Sequence, residues 1–450
     1  MNAFAGALTE HERYYGPGEV LFSTTDAKGV IQSVNETFVR LSRYDEHELV
    51  GRPHNVIRHP DMPGAVFHLL WERIRSGLPA VAYVTNRAKD GALYRTFATI
   101  VPLGDGYMSV RTAINRLDLW APIALAYSLT REVELGMREA GLSRSQAAAR
   151  GAMDLRDRLA ALGYASDVDV MRALIPAEVD ERRRLAPVRL PTTTARDALH
   201  ALVAPMALVD EELTALRAHF DDAAALADEL SEARVGILAT VDALAASSDA
   251  VAAVAASDAA PALATTARGA SSLAAEVSGI LAPLIDLLGE VQAAIRDLTA
   301  GLALSMLHSD MAMMFVAEAH DADMAEQAAP SIRNLARTVS GLVDADESSR
   351  ARVSAYLSRA ASAVEIAEAP LHDFQRILSQ WRSLVLRLNV GADFAHVLAP
   401  VDRQLSRGID EMNSLSRLGH KCRELSNPVN TERLRGAAYA VVLAADGLAG

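Results

Sequence analysis

Val81-Ala82-Tyr83-Val84-Thr85, Leu93-Tyr94-Arg95-Thr96-Phe97-Ala98-Thr99-Ile100-Val101-Pro102-Leu103 and Tyr107-Met108-Ser109-Val110-Arg111 are three runs rich in Val, Tyr and Thr. Lys89-Asp90-Gly91 and Gly104-Asp105-Gly106 separate them. Period-two runs broken by Asp-Gly turns predict three consecutive antiparallel strands. Upstream, Leu21–Thr24 and Val30–Val34 flank Asp26-Ala27-Lys28-Gly29, a second hairpin signal. Asn35 precedes Phe38 and Leu41 at helical spacing and suits a helix cap. Beyond the break at Pro60 and Pro63, residues Val66, Leu69, Leu70, Trp71 and Ile74 predict a longer helix ending near Gly77. The order hairpin, short helices, longer helix, three-stranded meander predicts an α+β domain, an antiparallel sheet with helices on one face, over 21–115 behind an N-terminal cap of 1–20. About 95 residues suffice for such a domain.

The whole chain has 450 residues, half of them hydrophobic and 22% charged, which suits two or three globular domains and excludes wholesale disorder. A single cysteine, Cys422, cannot form an intrachain disulfide or a thiolate cage, and Met1 to Glu12 lacks a secretion-signal layout, so a cytoplasmic setting is expected. The three lysines, Lys28, Lys89 and Lys421, are not followed by Ser or Thr, which removes a Walker A loop; kinase, cyclase and hydrolase signatures are also missing, so no enzyme is expected. The apolar stretches near Leu119–Leu129 and Gly436–Gly450 are shorter than the roughly 20 residues of a membrane span, and none is expected. Residues 1–130 balance 13 basic against 13 acidic side chains, so the net charge of −13 lies in the remainder. Such an acidic surface repels phosphate backbones, and no nucleic-acid partner is expected.

From Ala121 onward Ala, Leu, Glu, Arg and Asp dominate, which predicts helices throughout. Pro176, Pro187 and Pro191, with Arg182-Arg183-Arg184 and Thr192-Thr193-Thr194, mark a linker within a connecting segment 116–194, leaving 195–450 as an all-helical output or interaction region. Two seams, Leu284-Leu288-Val291-Ile295-Leu298-Leu302 and Leu371-Phe374-Leu378-Trp381-Val385-Leu388, have the spacing of packed helices. Pro261, Pro330, Pro370, Pro400, Pro428 and the polar run Asp344–Ser349 are expected to cut this region into six or more helices. His308, Asp310, His320, Asp321 and Asp323 lack metal-ligand spacing, and Met306, Met311, Met313 and Met314 read as adaptable core. Gly141 to Ala147 is shaped like the turn of a DNA-reading helix pair but lacks a basic recognition face.

The run Gly51-Arg52-Pro53-His54-Asn55-Val56-Ile57-Arg58-His59-Pro60-Asp61-Met62-Pro63, followed by Phe67, Trp71, Asn86-Arg87, Lys89-Asp90-Gly91 and Gly106-Tyr107-Met108-Ser109-Val110-Arg111-Thr112, carries a family resemblance. It resembles the flavin-binding PAS domain of bacterial aerotaxis receptors, over roughly residues 9–115. The resemblance implies a non-covalent FAD that reports on respiration or oxygen, held or sensed through Arg58, His59, Asp61, Trp71 and Asn86, with His54 at the start of the same string. Chemically, an Arg fork pairs with a pyrophosphate or polarises a carbonyl, an amide such as Asn86 both donates and accepts, and an aromatic such as Trp71 stacks. His59 beside Asp61 suits a protonation coupled to flavin charge.

Taken singly these residues read blandly: Arg58 with Asp61 as a surface pair worth under about 1 kcal/mol, Trp71 with Phe67 and Ile74 as core, His47 and His54 as loop or core histidines. Their joint occurrence favours the binding role. Where the family carries large aromatics, Ala80 and Arg95 stand here, which predicts a larger pocket or a weaker stacking of the flavin, and an added anion contact. The chain therefore reads as a cytoplasmic redox or energy sensor, aerotaxis-like, signalling through its helices to a protein partner, with a homodimer as a further expectation. A cofactor-free PAS scaffold for protein interaction and a haem-binding PAS sensor are the alternatives.

Overall fold

A computed structural model describes residues 11–187, 199–220, 261–321, 325–387, 395–427 and 429–448, with isolated positions between 225 and 242. The N-terminal domain contains β1 (Val20–Asp26), β2 (Ile31–Val34), α1 (Glu36–Ser42), α2 (Glu46–Leu49), a 3₁₀ helix (His54–Ile57), α3 (Gly64–Arg75), β3 (Ala80–Arg87), β4 (Leu93–Leu103) and β5 (Gly106–Thr112). The strands form one antiparallel sheet in the order β2-β1-β5-β4-β3. The first hairpin turns where expected: Asp26 Oδ1 accepts from the N–H groups of Lys28 (2.8 Å) and Val30 (2.9 Å), and Gly29 takes φ +79°, a left-handed value that glycine adopts without strain. Asn35 caps α1 by accepting from Phe38 N–H at 3.2 Å. It also accepts from Phe22 N–H and donates to the Val20 carbonyl, tying the helix start to β1.

Alternation along the strands sorts the sheet into two faces. One face carries Thr25, Val84, Asn86, Ala98, Ile100, Tyr107, Ser109 and Arg111 toward the 3₁₀ helix and α3. The opposite face carries Phe22, Tyr83, Phe97, Met108 and Val110, all buried, although the domain's own short helices do not lie there. Helices from further along the chain cover it. The Phe22 ring meets Phe315 edge-on at 5.0 Å, Tyr83 donates its hydroxyl to Glu178 at 2.8 Å, and the Arg95 guanidinium lies 5.0 Å from the Trp120 ring centre.

The helices that follow the sheet in the chain are α4 (Leu117–Glu139), α5 (Arg144–Ala161), α6 (Asp167–Leu185), α7 (200–220), α8 (Pro261–Asp321), α9 (Ala325–Arg387), α10 (Ala395–Leu425) and α11 (Glu432–Gly447). The chain divides into two compact units, one of 1–215, 300–344 and 431–450, the other of 216–299 and 345–430. Within the first, Arg182 and Arg183 of α6 pair with the buried Asp310 of α8 at 2.8 and 2.5 Å. In the second, the seam residues Leu371, Phe374, Leu378, Trp381 and Val385 are buried; Leu388 lies outside the described residues.

Three expectations about this region need correction. Pro176 lies inside α6, Pro330 and Pro370 inside α9, and Pro400 inside α10. The polar run Asp344–Ser349 is also helical, so neither it nor these prolines divide the helices, and the helical region has its eight described helices bounded elsewhere. Each of these prolines lies past the first turn of its helix as described, so each gives up a backbone hydrogen bond, which the burial of the helix's apolar face offsets. Pro191 and Thr192 to Thr194 of the expected linker lie outside the described residues. Finally, Leu263–Ala317 within α8 is long and apolar enough to cross a membrane by length and composition, a measure that core helices of soluble proteins also meet; the sequence reading identified no such stretch.

Candidate functional site

The inner face of the sheet, the β1–β2 turn, the 3₁₀ helix and α3 enclose a cavity of about 360 Å³. That volume lies within the range of small-molecule pockets. Helix α3 supplies its apolar wall through Phe67, Leu70, Trp71 and Ile74, while Ala98 and Ile100 of β4 line the opposite side. Lys28 of the turn and Arg75 at the end of α3 add exposed cations to the lining.

Four of the six residues singled out in the sequence line this one cavity: His54, Arg58, Trp71 and Asn86. The His54 ring packs edge-on against Phe38 at 5.6 Å, with Nε2 3.2 Å from Ser23 Oγ. Burial, reinforced by the charge of Arg111, holds its imidazole well below the usual histidine range. Arg58 donates to the Met62 carbonyl at 2.7 Å and lies over the Phe67 ring at 4.0 Å. Burial lowers its pKa, and the carboxylate of Glu134 opposes that shift. The Arg58–Asp61 surface pair, the bland reading of these two residues, is not found among the described residues, where Asp61 faces His59 instead. Asn86, 2% exposed, makes one long contact to Thr96 Oγ1 at 3.5 Å, which leaves its amide available to the cavity. Trp71 meets Tyr107 edge-on at 5.5 Å, and Arg75 lies 4.9 Å from its ring centre.

His59 and Asp61 do not line the cavity. They face each other on the following turn at 3.8 Å, with the Asp61 side chain 73% exposed. Burial lowers the pKa of His59 while Asp61 opposes it. Ala80 and Arg95 are also absent from the lining. Ala80 borders a separate void of about 50 Å³ under α5 and α6, and Arg95 pairs with Glu12 at 2.8 Å. At this cavity neither substitution acts directly: Ala80 shares the cavity face of β3 but lies beyond the lining, and Arg95 lies on the opposite face of β4.

Arg111 is the residue that sequence reasoning missed. It is 5% exposed, Nη1 has no hydrogen-bond partner, and among the described residues no carboxylate pairs with it. Burial holds its pKa down to about 10 against the opposing influence of the Tyr94 and Tyr15 hydroxyls. Its guanidinium lies 5.8 Å from the Phe38 ring centre. The available signal was strand alternation, which places positions 107, 109 and 111 on one face and so turns an arginine inward.

Two buried carboxylates hold the cavity's walls from outside. Helix α3 begins behind Pro63 with no side-chain cap of its own, and Glu134 of α4 accepts from the N–H groups of Gly64 at 2.8 Å and Ala65 at 2.7 Å. Glu178 of α6 accepts from Tyr83 of β3 and from the N–H groups of Asn115 and Arg116 at the start of α4. Burial raises its pKa against those hydrogen bonds.

The other clusters weighed in the sequence are occupied structurally. His308 is buried, its Nδ1 2.8 Å from the Leu304 carbonyl, and burial lowers its pKa to about 4. Asp310 is engaged by arginines; Asp323 and the side chains of His320 and Asp321 lie outside the described residues. Met306, Met311 and Met313 are buried core.

A five-stranded antiparallel sheet with short helices closing a cavity over one face gives the N-terminal domain a PAS-like fold. Over 110 residues, 23% of this chain, the sequence is 41% identical to the aerotaxis receptor of Escherichia coli (strain K12), and the match covers 22% of the receptor. It is 25% identical over 199 residues to the nitrogen fixation regulatory protein of Klebsiella pneumoniae, covering 40% of this chain and 38% of that protein. The chain thus covers well under two thirds of either relative. No family model matches. Among solved structures, a PAS domain from Colwellia psychrerythraea aligns with 22% identity over 21% of this chain and 86% of its own, at a TM-score of 0.19. The RsLOV d2 variant aligns with 16% identity over 32% and 89%, at a TM-score of 0.21. The N-terminal domain is thus similar in sequence to part of the aerotaxis receptor and has a PAS-like arrangement of sheet and helices, followed by long helices.

Proposed function

We propose that the PAS domain binds FAD in its interior cavity and that the chain is a cytoplasmic redox or energy sensor, relaying the flavin's state through its helices to a protein partner. The observation that carries this reading is a buried cation without a counter-charge, Arg111, in a cavity that also presents Asn86, Arg58 and Trp71. A flat ring with an electron-rich polar edge fits such a lining. The carbonyls and ring N–H of that edge match the donors of Arg111 and the two-way amide of Asn86, while Leu70, Ile74, Ala98 and Ile100 suit its apolar faces. Lys28, Arg58 and Arg75 suit a pyrophosphate.

FAD, when bound, supplies a reversible couple in which two electrons from a cellular donor and one proton add one negative charge to the ring system. This chain's residues hold and orient the ring, exclude water from its polar edge and place positive charge where negative charge grows. His59 and Asp61 stay part of the proposal at one remove, since the His59 N–H donates to the Thr85 carbonyl, next to Asn86.

The test is reconstitution of the purified protein with FAD, followed by gel filtration and a visible spectrum. Bound flavin absorbance is expected in the wild type, with weaker retention in Asn86→Ala and Arg58→Ala. A colourless wild type rejects the cofactor.

A further inference from the structure

Helix α3 forms a wall of the cavity, yet its first turn is not self-sufficient. Pro63 precedes it and offers no side-chain cap, so the N–H groups of Gly64 and Ala65 would be orphans without Glu134. The Glu134 carboxylate is 2% exposed, and Arg131 approaches it at 3.2 Å. The chain makes room for it on both sides. A Cβ at Gly151 would lie 2.9 Å from the Glu134 side chain, and one at Gly64 would lie 2.8 Å from the Cβ of Ala148 on α5. A negative group at a helix N-terminus is also favoured by the helix dipole. Within one to three turns the same helix delivers Phe67, Leu70, Trp71 and Ile74 to the cavity. Arg58, which lines the cavity and lies on Phe67, experiences the Glu134 charge as well.

We infer that Glu134 is a positioning residue for the cavity, through which a change of charge on the bound ligand reaches α4 and α5. The inference rests on the flavin reading above. Negative charge appearing in the cavity draws Arg58 inward and opposes the carboxylate beyond it, so the cap on Gly64 and Ala65 loosens. The face of α5 built on Ala147, Ala148 and Gly151 loses its fit as α3 shifts. Glu178 stays in place, because its partners lie on β3 and at the start of α4.

The experiment compares hydrogen–deuterium exchange of the full chain loaded with FAD, oxidised in air and reduced with dithionite. Faster exchange at Gly64, Ala65 and along α5 is expected on reduction. Glu134→Gln, which keeps one acceptor oxygen, is compared with the wild type at matched flavin loading. The exchange difference along α5 should be lost, and the flavin midpoint potential should rise because a negative charge near the cavity has gone. A purely structural role would not move the potential in that direction. Equal exchange of Gly64 and Ala65 in the two wild-type states overturns the inference without any variant, and so does an α5 difference that persists in Glu134→Gln. If the wild type holds no FAD, the flavin reading itself has failed. The charge coupling is then decided in the cofactor-free protein by a double-mutant cycle of Arg58→Gln and Glu134→Gln in thermal unfolding. Non-additive shifts support the coupling and additive ones refute it.

Discussion

A guanidinium shut away from water costs several kcal/mol unless an anion or a set of acceptors meets it. Arg111 is buried with Nη1 unpartnered, so it is held at a cost that a ligand can recover. Arg111→Met, of similar length and without charge, is expected to leave the thermal midpoint of the cofactor-free protein unchanged or higher. FAD affinity should fall about 10- to 100-fold, corresponding to a charged hydrogen bond of ~1.5–3 kcal/mol. Calorimetric titration and thermal unfolding of the two proteins check both halves; an unaltered affinity would mean that the cation does not read the ligand. At this scale the sequence was partly legible. The string from His54 to Met62, with Trp71 and Asn86, led to the cavity because its residue types and spacing occur together. It could not reveal that the turn after Arg58 carries His59 and Asp61 away from the cavity, since neighbours in a turn diverge by backbone geometry that residue type does not encode. Arg111 was hidden differently, as the one charged residue of a mixed strand whose inward register depends on pairing with β4.

Secondary-structure elements were legible where local chemistry decides them. The Asp-Gly turns, the Asn35 cap and the alternating strands are short-range signals, and the five strands, α1 and α3 of the N-terminal domain fall where those signals place them, whereas α2 and the 3₁₀ helix had no such signal. The long helices were less legible, because proline is a local signal and bundle packing is a distant one. Helix α9 continues through Pro370 into a segment whose Leu371, Phe374, Leu378, Trp381 and Val385 are buried. A proline in a helix interior removes one hydrogen bond and crowds the preceding turn, at roughly 3 kcal/mol relative to alanine. Pro370→Ala should therefore stabilise the protein by up to about 3 kcal/mol, less the freedom it restores to the unfolded chain. Urea unfolding followed by far-ultraviolet circular dichroism measures this, and a lowered midpoint would show that the proline shapes a bend the packing requires.

At the scale of the molecule, the PAS domain is one part of a larger unit. Its outer sheet face, with Phe22, Tyr83, Phe97, Met108 and Val110, is buried under helices that follow it in the chain, including Phe315 against Phe22 and Glu178 against Tyr83. A fragment of 1–115 exposes that face and is expected to self-associate in gel filtration with light scattering, since contiguous apolar patches of this kind seek partners. A monodisperse monomer at the same concentration would show that the face tolerates water. The composition change near residue 130 was visible in the sequence, but it marks a change in building material and does not mark the edge of a unit, because covering a sheet is a long-range event. The glutamate at the head of α3 has a consequence for biosynthesis. It is translated 70 residues after the amide it serves. A nascent chain leaving the ribosome N-terminus first carries an unfinished cavity until α4 emerges, so insertion of the proposed flavin belongs after that moment, and a ribosome stalled before it presents an N-terminal domain without its keystone.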